Sequence, residues 1–170
     1  MNKRKSDEKG FTLIEVIVTL VLVGITAALA GMWIVSVANG YIFAKMNANT
    51  TQKAQLAMTR LAKEFAAIQS VSASSGTGIT YKRTDSSLNT TADYVVGIGA
   101  GTKSGELQIN TNALTDSVSS FALTYCDSAN STGCPTTWSS TSRIIEIKLT
   151  LTAGNNSPVT FVQRVAPRNL

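Results

Sequence analysis

The chain of 170 residues carries 15 Lys and Arg against 10 Asp and Glu, a formal charge of +5, and contains no histidine. It therefore lacks the commonest general base and the commonest metal ligand at neutral pH, and no cysteine–histidine pair or paired-carboxylate motif replaces it. Its cations form neither a long run nor the basic–aromatic interleaving of a nucleic-acid face, so the composition argues against an enzyme, a cofactor, a metal site or direct nucleic-acid binding.

The first residues are basic, with Lys3, Arg4, Lys5 and Lys9 outweighing Asp7 and Glu8. From Phe11 to Ala44 the only charge is Glu15. About 20 apolar residues cross a bilayer core. As a helix this run would extend about 51 Å, more than a membrane needs, so it is expected to continue beyond the lipid. No proline occurs before Pro135 to stop it. Gly24, Gly31 and Gly40 weaken the helix locally and permit close helix approach. The basic flank would stay in the cytoplasm and the bulk of the chain would face outward in a single pass.

Three fates of this N-terminus are open. It is an uncleaved anchor, or a segment processed near its start, or a secretory signal peptide. In the last case a cut after Ala28-Leu29-Ala30 would release a β-rich binding domain beginning at Gly31. Glu15, placed near the start of the would-be apolar region, fits a signal peptide poorly, as do Asp7 and Glu8.

The segment Gly10-Phe11-Thr12-Leu13-Ile14-Glu15 resembles the prepilin processing motif of type IV pilins and type II secretion pseudopilins. The resemblance implies that residues 1–10 are a leader removed by a membrane prepilin peptidase, which cuts after Gly10 and methylates the amine of Phe11. It implies that Glu15 is the acid that guides assembly, by pairing with the amine of a neighbouring subunit. It further implies partners: other pilins or pseudopilins met through the N-terminal helix, and an inner-membrane assembly platform. The location would be the bacterial inner membrane, then a periplasmic or cell-surface filament. Physics singles out Glu15 independently, because a carboxylate at bilayer depth costs about 3 kcal/mol and such groups mark function. The amine freed at Phe11 would lie one helical turn away.

From Lys45 the pattern turns amphipathic, dividing residues 11–44 from a continuation over 45–70. Ala54, Met58, Leu61, Phe65 and Ile68 form one apolar stripe at helical spacing, with Gln52, Lys53, Arg60, Lys63 and Glu64 mostly off it. The helix is expected to end near Ser70, where Ser72-Ala73-Ser74-Ser75-Gly76 breaks the pattern.

Residues 71–170 form the globular antiparallel β domain in this scheme. In Arg143–Thr152 the residues Ile145, Ile147, Leu149 and Leu151 share one face, the mark of a half-buried strand. Phe121, Leu123 and Tyr125 alternate in an earlier strand. Val159, Phe161 and Val165 do so in a later one, after a turn at Gly154-Asn155-Asn156. Ile79–Tyr81 and Tyr94–Ile98 are weaker candidates. A long helix with four to six strands gives an α+β class, the pilin fold on the resemblance. Cys126 and Cys134 enclose a short loop, and outside the cytoplasm they are expected to form a local disulfide rather than free buried thiols.

Late segments carry a second resemblance. Leu114–Val118, Phe121–Tyr125, Arg143–Ile147, Val162–Val165 and Arg168-Asn169-Leu170 look like J-type minor pseudopilins and the related W-type minor pilins. That implies a minor subunit of a type IV pilus-like filament, acting in initiation, assembly or at the tip. The chain departs from the family in two respects: its apolar helix has no proline, and Glu15 is present where the tip-most pseudopilin lacks the acid. Calcium, which major pseudopilins bind through an acidic loop, is not expected, because Asp127 near Asn130 is one acid where several are needed.

Overall fold

The computed structural model describes residues 10–85, 90–99 and 105–170. Contacts divide the chain into two units, one ending at Phe43 and one running from Ala44 to Leu170. The helix α1, Leu13–Ala66, contributes to both. In the first unit it has a stretch long and apolar enough to cross a membrane, with mean hydropathy 2.5, and its hydrophobic side chains are exposed. Two hydroxyls in this stretch are satisfied locally, Thr19 donating to the Val16 carbonyl and Thr26 to that of Leu22.

In the second unit the described residues form eight strands rather than the four to six expected, in two antiparallel sheets. The first sheet runs in order β1 (Ser70–Ser75), β2 (Gly78–Asp85), β3 (Thr90–Ile98), β4 (Leu107–Ile109) and β5 (Asn112–Thr115). The second holds β6 (Val118–Cys126), β7 (Ile144–Thr152) and β8 (Pro158–Val165). Register in the second sheet follows the alternation in the sequence: Leu123 faces Ile147, and Leu149 faces both Phe121 and Phe161. The β7–β8 turn places Asn155 and Asn156 at φ 56°, a left-handed region that asparagine tolerates. The class is α+β, a long N-terminal helix packed on antiparallel sheet.

One hydrophobic cluster joins helix and sheets. It takes Leu61 and Phe65 from α1, Ile79, Tyr81, Val96 and Leu107 from the first sheet, and Phe121, Leu123, Ile145, Ile147 and Leu149 from the second. All five residues of the expected stripe are buried. One residue corrects the stripe. Glu64, placed off it by spacing, is only 2% exposed and lies inside the interface with Ala57.

α1 ends at Ala66, not near Ser70, and Ser70–Ser75 is a strand that runs through most of the expected break at Ser72-Ala73-Ser74-Ser75-Gly76. The reasons are tertiary. The last turn tightens through bonds from Ala67 N to Glu64 O and from Ile68 N to Phe65 O. The Arg168 amide then donates to the Ala66 carbonyl at 3.1 Å, satisfying a group that the helix leaves open. Gln69 N donates to Lys82 O, and the sheet begins. β1 is an edge strand held by backbone pairing with β2, so its polar side chains are no obstacle.

The sheets are stitched to each other and to the helix by polar contacts. Leu123 N donates to Gly76 O at 2.8 Å, and the Tyr125 hydroxyl donates to Ser75 O at 3.2 Å. Burial pushes that phenol well above the ordinary tyrosine range. Asn47 Oδ1 accepts from Gly154 N, and Lys53 pairs with Asp116 at 2.7 Å. The lysine's hydrogen bond holds the Asp116 carboxyl below its usual pKa.

Candidate functional site

The residues singled out for processing sit at the entry to α1. Thr12 caps it: its carbonyl accepts from Glu15 N at 3.0 Å and Val16 N at 3.2 Å, and its hydroxyl accepts from Glu15 N at 3.4 Å. Thr12-Leu13-Ile14-Glu15 is thus a Thr-x-x-Glu capping pattern, a signal present in the sequence and passed over there. Glu15 stands in the first turn, where the partial positive charge of the helix end favours an acid. Among the described residues no cation reaches its carboxylate. The basic residues Lys3, Arg4, Lys5 and Lys9 of the expected leader lie outside the described residues.

Phe11 is 83% exposed. Gly10 is exposed too, and a Cβ built there would meet nothing within 4 Å. Neither crowding nor a positive φ explains a glycine at this position. The same open space surrounds Gly24, Gly31 and Gly40 in the helix. Each costs about 1 kcal/mol of helix stability relative to alanine, and among the described residues no close neighbour calls for a glycine there.

In the second unit Cys126 and Cys134 are joined by a disulfide across a separation of eight residues. The enclosed loop is fastened to β8 by Arg164, whose guanidinium donates to the Ala129 and Ser131 carbonyls while its Nε bonds Glu146. Asp127 accepts from the Thr141 hydroxyl at 3.0 Å, so it ties the start of the β6–β7 connection to its end. Among the described residues no three His, Cys, Asp or Glu side chains gather as a metal centre. Changing both cysteines to serine frees a loop whose closure stabilises the fold by about 2.5 kcal/mol. A denaturant titration of that variant should therefore show a matching fall in unfolding free energy, with helix and strand content unchanged.

Comparison with known proteins bears on the N-terminal site alone. Residues 5–31 match the family model described as the prokaryotic N-terminal methylation motif. No curated protein and no solved structure matches the chain.

Proposed function

We propose that this chain, a type IV pilin-like protein by its N-terminal methylation motif and its α+β fold, is a minor pilin or pseudopilin: a structural subunit incorporated into a filament at the bacterial inner membrane. The observation that carries the proposal is the matched motif over residues 5–31, which spans Gly10, Phe11 and Glu15 together. The motif implies processing by a prepilin peptidase, with the cut after Gly10 and methylation of Phe11, and implies assembly with other pilins. Its role is structural rather than enzymatic.

Two features of the structure support the proposal. Gly10 stands in open space beside an exposed Phe11, so the demand for glycine comes from outside the fold, as a narrow protease cleft would impose. Gly24, Gly31 and Gly40 likewise leave notches on an exposed apolar helix. Such notches find their use where another helix approaches closely in lipid. The sheet domain would face away from the cytoplasm and the assembled filament would reach the periplasm or cell surface. Glu15 would be neutralised by the amine of a neighbouring subunit, which recovers the cost of about 3 kcal/mol of holding a carboxylate in lipid.

Mass spectrometry of the protein isolated from membranes tests this directly. A mature chain beginning at N-methylated Phe11 is the expected result. A chain beginning at Gly31, or an intact chain from Met1, would exclude it.

A further inference from the structure

We propose that Glu64 and its partners Arg60, Tyr81 and Arg83 form an ionic lock that sets the rotation of α1 on the first sheet, and that filament assembly depends on this setting; the second half of the proposal rests on the filament role above.

The carboxylate is 2% exposed and uses its two oxygens on different elements. Oε1 accepts from Arg60, one helical turn earlier, at 2.9 Å. Oε2 accepts from Arg83 Nη1 at 2.8 Å and, more weakly, from the Tyr81 hydroxyl at 3.4 Å. Tyr81 and Arg83 are two residues apart on β2 and so share a face. Arg83 in turn lies over the Tyr94 ring of β3 at 4.5 Å, and Tyr94 stacks on Tyr81 with centroids 5.8 Å apart. Tyr81 meets Phe65 of the helix edge-on. One acid thereby connects a helix and two neighbouring strands through directional bonds.

The electrostatics agree with the geometry. Burial raises the Tyr81 pKa well above the phenol range, and the adjacent Glu64 adds to it, so the hydroxyl stays a donor. Burial would lower the Arg83 pKa, but its bond to Tyr94 and the nearby Glu64 outweigh this, and the guanidinium remains charged.

The apolar part of the interface cannot set an angle in this way, and the other polar ties of α1 run to Gly154 beyond β7, to Asp116 between β5 and β6 and to Arg168, none of them on β2 or β3. Ala54, Ala57, Met58 and Leu61 are apolar, and apolar burial is non-directional. A helix turned on that surface by a few tens of degrees would keep most of its buried area. It would lose Glu64, and the partly buried Arg83 would be left beside a vacated position, with its Nε already lacking an acceptor. Replacing a buried ion pair with apolar groups of similar volume is often neutral or stabilising, whereas its directional constraint is lost. The lock is therefore separable from stability.

The test uses the full-length chain in detergent micelles, with spin labels on Leu56→Cys in α1 and Val95→Cys in β3, both exposed. The two native cysteines are consumed in the disulfide and do not compete for label. A Glu64→Leu/Tyr81→Phe/Arg83→Met triple change removes the lock and strands no buried polar group. The expected result is a melting temperature equal to or above that of the parent, a single sharp label distance replaced by a broad distribution, and loss of incorporation into filaments. A narrow distribution in the folded triple variant would overturn the lock. So would failure of that variant to fold, since the ions would then supply stability rather than direction. A broad distribution with normal incorporation would overturn the link to assembly. If the parent chain itself never enters a filament, the function proposed above falls, while the label distances still decide the lock.

Discussion

If the chain is the filament subunit proposed above, Glu15→Gln is expected to leave the proposed cut after Gly10 and methylation of Phe11 intact while abolishing incorporation into filaments. The choice of glutamine matters because the structure gives Glu15 two possible jobs. It is the fourth member of the Thr12-x-x-Glu15 capping pattern, and glutamine serves that pattern as well as glutamate does. It is also the one charge in the apolar stretch from Phe11 to Ala44, and only the charged form can pair with an amine. Glutamine keeps the first job and deletes the second. The measurement is mass spectrometry of the membrane-resident chain alongside immunodetection in sheared filaments. Incorporation equal to the parent would remove the pairing role.

The second large effect is thermodynamic. Phe65→Ala is expected to cost about 3–5 kcal/mol, against a total of about 5–15 kcal/mol for a domain of ordinary stability. Phe65 is fully buried at the end of α1 and makes the edge contact with Tyr81. The cavity it leaves would lie between a helix and two sheets, where neighbours have little freedom to collapse. Leu56, on the same helix but 67% exposed, provides the control, and Leu56→Ala should change stability by no more than about 0.5 kcal/mol. Equal costs at the two positions, read from denaturant midpoints with unchanged slope, would mean that this face of α1 does not anchor the domain.

Period and hydrophobicity made most of this architecture legible. The stripe from Ala54 to Ile68 and the alternation of Ile145, Ile147, Leu149 and Leu151 are statements about which side of an element meets water. Each holds because a single face is buried. The signal fails where burial does not follow polarity. Ser70–Ser75 is held by an edge strand's backbone bonds, and β4 and β5 are too short for a period to show. Glu64 misleads because its partners, Tyr81 and Arg83, come from a distant strand that only folding brings alongside. The helix end at Ala66 is hidden for the same reason, being closed by a remote amide rather than by a local glycine or proline. At the N-terminal site the order was reversed. The motif was plain from spacing, while the capping role of Thr12 needed hydrogen-bond geometry to be noticed.

The closure of Ala66 by the Arg168 amide has a consequence for biosynthesis. A ribosome delivers α1 before the residue that caps it, and β6 and β7, whose Leu123, Ile147 and Leu149 share the core with Leu61 and Phe65, also follow it. Throughout that interval the face bearing Leu61 and Phe65 has no lid. The nascent chain would carry that apolar face uncovered while the remainder awaits completion, a period in which factors that hold unfinished chains would find the most to bind.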